Sequence, residues 1–501
     1  MLSVGTFITV NCSLSQLHRV ASFRSQIQLA SVLLLTASAS ASSAELVPQD
    51  VQTEIDALRR DIAELRDQGI GGAAWLSEER AAEIRAIVRD VMSDSATRDS
   101  LQESTATAGW KDGFFISSAD GNYTMRINGY MQTRFSYDTR KSLNGLSGAQ
   151  ELEWWGEETR RLKMAVEGNL IDPSWRYKVE IANFSGLLTV DDAWLEKNLE
   201  DGVSVKIGQF KTPFLRENLI SDAFPMMVDR SSVEAFFGNG RSLSAQVNWL
   251  KGDIQLTAAY LNGFVVKSNY FSSGIMQNTQ FPSERVADYA FAARAEWKVA
   301  GEWKQFKDPA GWPSNEFGMM FGLAGEVEQK GNNQGVPASY AALGAVDPFV
   351  VAVTIDANIE WSGASILTYG VWRQVDTNIS TLEASNQFGF MFQAGYFITD
   401  NVELVARYEY GNADANLNGA PPVLNTLNNN GYETLNAVGV GANWFISKQR
   451  VKLAADVSYA LDGIGAFQNA GNGFLPDGTS SSGEFNQDGQ VMGRMQLQVM
   501  W

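Results

Sequence analysis

Basic side chains recur at alternate positions along several stretches of the sequence, and this spacing limits the chemistry open to them. These residues are Arg126, Arg134, Arg161, Lys163, Arg176, Lys178 and Lys206. Alternate residues of an extended strand point to the same face of a sheet. Cations fixed along one such face attract anions and hold them weakly, and they need not make or break a covalent bond.

A second group of charged residues lies within residues 205–241. The stretch opens with a strand-like run that Pro213 ends, and the next strand starts near Ser242. A connection of about 30 residues in a β protein is usually either functional or disordered. This one is too rich in Phe and Met to be disordered. We therefore predict that it folds inward and narrows a pore.

The charges of this stretch leave two interpretations open, because acids and bases are equal in number. They are Lys211, Arg216, Arg230 and Arg241 against Glu217, Asp222, Asp229 and Glu234. As an anion filter, the guanidinium groups would offer a permanently charged, bidentate fork that suits tetrahedral oxyanions. In the simpler interpretation, the neighbouring pairs Asp229–Arg230 and Arg216–Glu217 pin the loop to the wall and form a rigid constriction.

Several classes of protein are excluded by what the sequence lacks. The single Cys12 and the single His18 both lie in residues 1–44, which have the pattern of a cleaved secretion signal. The mature chain would then have no disulfide, no thiolate or imidazole metal site and no nucleophile–His pair. The net charge of −18 argues against nucleic acid as a partner. We predict neither an enzyme nor a cofactor.

One motif resembles a calcium-binding loop. Asp414, Asn416 and Asn418 followed by Gly419 match its start, but its twelfth position is Asn425 rather than Glu. Because the bidentate ligand is missing, we predict a polar surface loop and no bound metal.

The residues that follow the signal have a helical period. In the segment 45–104, apolar residues step by four and three, as along the seam of a coiled coil: Val51, Ile55, Leu58, Ile62 and Leu65. We predict a short periplasmic coiled coil that sets the oligomeric state or contacts the cell wall. A solvated helical hairpin without a partner is the alternative. Residues 105–122 are predicted to be a linker.

From Tyr123 the period changes from 3.5 to 2, which predicts β-strands. We count about 16 strands over residues 123–501, the weaker candidates being 189–197, 366–372 and 435–444. Trp and Tyr lie near the strand ends, and the alternation runs to the terminal Trp501, as in an outer-membrane β-barrel. A water-soluble β protein with the same period is the alternative.

The connections between the strands provide a separate indication of the fold. Short and long connections alternate along the chain, which is typical of a barrel with tight periplasmic turns and long outer loops. Residues 182–188 form a short connection where a long one is expected. Residues 298–316 form a long one where a turn is expected, and we predict an inserted periplasmic segment there.

Two groups of residues resemble a known family. They are Asp192-Ala193-Trp194-Leu195 with Val205-Lys206-Ile207-Gly208-Gln209-Phe210-Lys211-Thr212-Pro213-Phe214, and Met226-Met227-Val228-Asp229-Arg230-Ser231. Over residues 113–501 the chain resembles the phosphate-selective porin O and P family, with Asp229 where Glu is common. The resemblance implies a 16-stranded trimeric porin whose third loop folds into a lumen carrying basic residues.

These observations together predict an all-β protein. We expect a transmembrane antiparallel barrel of about 16 strands with an inward-folded third loop, preceded by a short coiled coil. The leading hypothesis is an outer-membrane porin for passive diffusion of small anions, phosphate among them, with a basic wall facing a more acidic one. The expected partners are outer-membrane lipid, two further copies of the chain and peptidoglycan. A structural tether to the cell wall and a carboxylate-based enzyme are the alternatives.

Overall fold

The computed structural model describes residues 106–111, 113–140, 152–184, 187–263, 287–329, 349–376, 384–414, 434–462, 464, 474 and 489–501. The chain divides into two units, Met1–Leu101 and Gln102–Trp501, and all described residues belong to the second. The predicted signal sequence and coiled coil lie outside the described residues, as does the calcium-like motif beyond Asp414.

Antiparallel strands account for most of the described chain. The first strands are β1 (Thr107–Trp110), β2 (Phe114–Ser117), β3 (Thr124–Arg140), β4 (Leu152–Leu170), β5 (Asp172–Phe184), β6 (Leu187–Asn198), β7 (Val203–Lys211), β8 (Arg241–Lys251) and β9 (Ile254–Leu261). They are followed by β10 (Tyr289–Ala300), β11 (Gly318–Gln329), β12 (Phe349–Trp361), β13 (Ala364–Asp376), β14 (Ser385–Thr399), β15 (Val402–Asn412), β16 (Thr434–Gln449), β17 (Val451–Ala460) and β18 (Gln490–Met500).

Strands β3 to β18, sixteen within the described residues, close into a barrel. Each pairs with the next along the chain, and β18 pairs back onto β3 from Val491↔Thr139 to Met500↔Tyr130. The predicted 16-stranded antiparallel barrel is confirmed. Residues 105–122, predicted to be a linker, instead contain β1 and β2. The segment Phe114–Ser117 alternates in exposure and pairs with the start of β3.

The period of two explains which side chains face inward. On β12, Val353 and Ile355 are exposed on the outer face, whereas Thr354 and Asp356 are buried inside the barrel. The other long strands repeat this arrangement, with apolar side chains outside and polar ones inside. The described helices are short, and none of them is long and apolar enough to cross a membrane.

The connections also follow the predicted alternation, with two exceptions at the predicted places. Only residues 185–186 separate β5 from β6, and residues 301–317 separate β10 from β11. The latter segment, which we call the β10–β11 connection, contains a 3₁₀ helix at Gln305–Lys307. The connection between β7 and β8 is the third loop, L3 (residues 212–240), and it contains α1 (Arg216–Leu219) and α2 (Ser232–Phe237).

Candidate functional site: the lumen and its third loop

L3 lies inside the barrel, as predicted from its length and composition. Its apolar side chains are buried against inward-facing wall residues, so the loop has a small hydrophobic core of its own. The loop contributes Phe214, Leu215, Ile220, Met226, Met227, Val233, Phe236 and Phe237, and the wall contributes Tyr369, Val371, Met391 and Val405 among others. Burial of this apolar surface stabilises the inward position of the loop.

Two glycines of the wall make room for the loop. A Cβ atom on Gly395 would lie 2.8 Å from Cε of Met226, and one on Gly439 would lie 2.9 Å from Cε of Met227. Real Cβ contacts are longer than this, so a side chain at either glycine would have to displace the tip of a methionine, together with the side chain of Glu403 or Ser458 on the wall. The tips of Met226 and Met227 therefore occupy the space that a side chain at these glycines would need.

Asp229 connects L3 to the basic side of the wall. Its carboxylate lies 2.7 Å from Arg161, 3.0 Å from Arg134 and 3.4 Å from Arg160. Burial alone would raise the pKa of this loop carboxyl, but the surrounding arginines hold the pKa well below its usual range. The side chain therefore stays ionised and keeps the loop tied to β3 and β4.

A bulge in β4 places two of these arginines on the same side. The register between β3 and β4 shifts between Gln132 and Thr133, which face Arg161 and Thr159 and leave Arg160 as the extra residue. Both Arg160 and Arg161 are consequently buried inside the barrel. Strict alternation places only one of them inside, so the inward position of Arg160 does not follow from the sequence pattern.

Asp222 forms a second ionic centre of L3. Its carboxylate pairs with Lys163 at 2.5 Å, with Arg230 and, at 3.9 Å, with Lys211. Burial opposes ionisation of this loop carboxyl, but the cations around it hold its pKa well below the usual range. The predicted pair Asp229–Arg230 is thus replaced by Asp222–Arg230, because the path of the loop brings Asp222 to the guanidinium.

The two charged residues of α1, Arg216 and Glu217, bind the rest of L3, the wall and the β10–β11 connection. Glu217 accepts hydrogen bonds from the backbone N–H and hydroxyl of Ser231 and from the hydroxyl of Tyr369. Ser231 in turn caps α2 by accepting the N–H of Glu234. Arg216 pairs with Glu296 of β10 at 3.3 Å rather than with Glu217, and it donates to the carbonyl of Phe306.

Backbone carbonyls of L3 are also bound by side chains from far around the barrel. Arg294 donates to Phe214 O at 2.9 Å, and Arg407 donates to Asp229 O at 2.9 Å. Asn443 donates to Met226 O at 2.7 Å. Because these donors come from β10, β15 and β16, the loop is held from both sides of the lumen.

The structure divides the predicted pore-lining residues into two groups. Arg134, Arg161, Lys163, Arg176, Lys178, Lys211, Arg216, Arg230 and Arg241 all make ion pairs. Arg241, for example, lies 2.6 Å from Asp192 of β6. Among the described residues Arg126 and Lys206 make none. Most of the basic face is therefore neutralised locally.

Lys206 lies in the space that L3 leaves open. A polar cavity of about 250 Å³ separates the loop from β6 to β10. The side chain of Lys206 projects into this cavity. Its Nζ lies 4.3 Å from the ring centre of Phe210 and 5.5 Å from that of Trp194. The amides of Gln246 and Gln255 line the same cavity. Lys206 thus makes cation–π contacts with both rings and, within the described part of the chain, no ion pair.

The β10–β11 connection forms a second inward element at the opposite end of the wall. Trp312 lies between Phe397 of β14 and Phe445 of β16, with ring centres 5.2 Å and 4.6 Å away. Asp308 accepts hydrogen bonds from Trp312 and from Gln449. Burial raises the pKa of this Asp308 carboxyl. The connection therefore reaches strands β14 to β16 and meets L3 where Arg216 binds Phe306.

The charged groups of the lumen are mostly arranged as ion pairs within the wall and between the wall and L3. Within the described ranges no group of three or more His, Cys, Asp or Glu side chains is arranged around a common point. A closed 16-stranded barrel with apolar side chains outside, a charged lumen and a loop folded into it defines a channel of the porin class.

The chain belongs to the phosphate-selective porin O and P family, whose sequence model matches residues 127–460. The family resemblance noted in the sequence is thereby confirmed, and the chain is an outer-membrane channel protein. A comparison with curated protein sequences gave no significant match.

Several solved outer-membrane proteins have similar structures. The channel DcaP of Acinetobacter baumannii is 14% identical, with 79% of this chain and 100% of that chain covered and a TM-score of 0.46. An anion-selective porin from Comamonas acidovorans is 10% identical, with coverage of 75% and 99% and a TM-score of 0.44. OmpT of Vibrio cholerae is 12% identical, with coverage of 75% and 98% and a TM-score of 0.47.

Proposed function

We propose that this porin is a passive channel for small anions, which cross the lumen between L3 and strands β6 to β10. The observation that carries the proposal is Lys206, an inward cation without an ion pair among the described residues, at the edge of the polar cavity. The carboxylates of Glu196, its cross-strand neighbour on β6, and of Asp192 interact with it only at longer range. Anions passing along this wall meet a favourable field.

The test is the zero-current potential of the refolded protein in a planar bilayer across a KCl gradient. We expect chloride preference, weaker at high salt because mobile ions screen exposed charge. Lys206→Gln should reduce the chloride-to-potassium permeability ratio by roughly two- to fivefold, since one partly exposed charge is worth about 0.5–1 kcal/mol. Potassium preference in the unaltered channel would contradict the proposal.

Lys251→Gln provides the matched control. Lys251 is exposed at the end of β8 next to the β8–β9 turn and does not line the cavity. The substitution removes the same charge from the protein, so it changes net charge equally. We expect it to leave the permeability ratio unchanged. An equal effect of both substitutions would show that net charge, rather than the lumen site, determines selectivity.

The remaining parts of the proposal concern assembly and catalysis. We propose a channel and not an enzyme, because the charged groups described here neutralise one another or hold the loop. A homotrimer follows from the family resemblance and stays a prediction. Contact of residues 45–104 with the cell wall also stays a prediction, which deletion of this segment would test through envelope attachment and permeability measured separately.

A further inference from the structure

The cavity beside Lys206 has a composition that bears on which anions it holds. Its walls combine Lys206, which makes no ion pair among the described residues, with apolar side chains from both sides, namely Trp194 of β6 and Leu219 of L3. Lys211 also lines the cavity, but it lies 3.9 Å from the carboxylate of Asp222. Uncharged amide groups of Gln246 and Gln255 complete the surface on β8 and β9. This arrangement offers a place for one negative charge next to a place for an apolar body.

The guanidinium groups near the cavity are already occupied. Arg294 makes a two-point pair with Asp356, both distances being 2.8 Å, and Arg241 binds Asp191 and Asp192. Tetrahedral oxyanions are bound best by free guanidinium forks, because two parallel N–H groups match two oxygens. A lysine offers a point charge without this geometry.

The acidic groups of the cavity are balanced by neighbouring cations, which leaves little surplus positive charge for an anion of high charge. Asp192 and Glu296 both line it, and they are neutralised by Lys178, Arg241 and Arg294 at its edge. A doubly charged phosphate would meet these carboxylates with one unpaired lysine as compensation. A singly charged carboxylate needs no more than the one cation that is present.

We propose that this cavity is a binding subsite for organic monocarboxylates with an apolar or aromatic body, rather than for inorganic phosphate. The carboxylate binds the Lys206 ammonium, and the body lies against Trp194 and Leu219. The inference rests on the proposed function, since it assumes that anions pass along this wall. It departs from the phosphate preference that the family description carries.

The experiment measures block of the single-channel chloride current by added benzoate, acetate or phosphate at equal pH and ionic strength. We expect benzoate to block at a concentration about tenfold lower than acetate, because stacking on an aromatic ring adds roughly that factor. Phosphate should be the weakest blocker. Phosphate block at or below the benzoate concentration, or equal block by benzoate and acetate, would overturn the proposal.

Variants separate the two halves of the subsite. Trp194→Leu should reduce the benzoate-over-acetate ratio about tenfold, because it removes the ring that the body contacts. Lys206→Arg should introduce a guanidinium fork at this position and shift the blocking preference from benzoate toward phosphate. An unchanged benzoate-over-acetate ratio in Trp194→Leu would also overturn the proposal.

The outcome distinguishes this inference from the proposed function. Chloride preference without block by any organic anion would overturn the subsite and leave the anion channel standing. Potassium preference would overturn both, and it is read from the zero-current potential before any blocker is added. Lys251→Gln, which lies away from the cavity, serves as the control for an unspecific effect of lost charge.

Discussion

The carboxylate of Asp229 is the shared partner of three guanidinium groups that otherwise face one another inside the barrel. Asp229→Asn keeps the shape of the side chain and removes its charge, so Arg134, Arg160 and Arg161 lose their common partner. Removing one member of a buried ion pair costs about 3–5 kcal/mol. We expect the free energy of unfolding, measured by urea titration in detergent micelles, to fall by that amount.

Asp253→Asn is the control for this prediction. Asp253 lies 3.0 Å from Lys298, but its side chain is 66% exposed in the β8–β9 turn. An exposed ion pair contributes at most about 1 kcal/mol. A loss for Asp229→Asn no larger than that for Asp253→Asn would show that the arginines find other partners when Asp229 is neutral.

The faces of single residues could be read from the sequence, whereas their partners could not. Alternation places Lys163 and Lys206 inside the barrel, because the period of a strand is fixed by its geometry. It places one of Arg160 and Arg161 there, because a bulge leaves no trace in a simple period. The pairing of Arg230 with Asp222 depends on the path of L3, which the order of residues along the loop does not reveal.

At the scale of elements, Trp312 fastens the β10–β11 connection across the inside of the wall. Its ring fills the space between Phe397 and Phe445, and Lys448 lies 5.8 Å over it. Trp312→Ala removes these contacts at a cost of about 3 kcal/mol, as for other large aromatic truncations. We expect the connection to move away from β14 and β16 and the single-channel conductance in KCl to rise.

A second tryptophan of the same connection serves as the control. Trp303 donates its N–H to the carbonyl of Gly252, so it is bound to the β8–β9 turn rather than to β14 and β16. Trp303→Ala should therefore change the conductance less than Trp312→Ala. If Trp312→Ala leaves the conductance unaltered, the connection does not narrow the path of the ions.

The strands were predictable as elements, and the way the β10–β11 connection folds was not. The period of two and the short turns define where each strand begins and ends, since both are local properties. The unusual length of residues 298–316 was visible too. Its contacts are with strands β14 to β16, far along the chain, and no local pattern in this segment indicates them.

At the scale of the whole molecule, the barrel depends on the pairing of its first and last strands. Beyond the regular ladder, Trp501 donates its N–H to Gly129 O at 3.0 Å and accepts the N–H of Gly129 at 3.1 Å. Because the ladder from β3 to β18 is closed, the barrel formed by these strands has no edge strand. An edge strand would expose unpaired backbone groups to lipid, which is unfavourable. Alternation up to the last residue predicted this closure, but it did not show that a glycine of β3 receives the terminal Trp.

Closure at this seam requires that residue 129 have no side chain. A Cβ atom on Gly129 would lie 2.4 Å from the backbone oxygen of Lys163 on β4 and 3.0 Å from the ring of Trp501. Gly129→Ala must therefore displace β4 or the chain end, at a cost of about 1–3 kcal/mol. We expect a lower folded fraction after refolding into lipid vesicles, measured by the heat-modifiable electrophoretic mobility of the barrel.

Gly493→Ala tests the same seam without the steric conflict. Gly493 lies on β18 opposite Tyr137 of β3, and a Cβ atom there would meet nothing within 4 Å. This substitution adds the same methyl group to the same strand pair, so any general effect of alanine on the strands is matched. Equal folded fractions for the two variants would contradict the prediction, since closure would then tolerate a separation of Trp501 from β3.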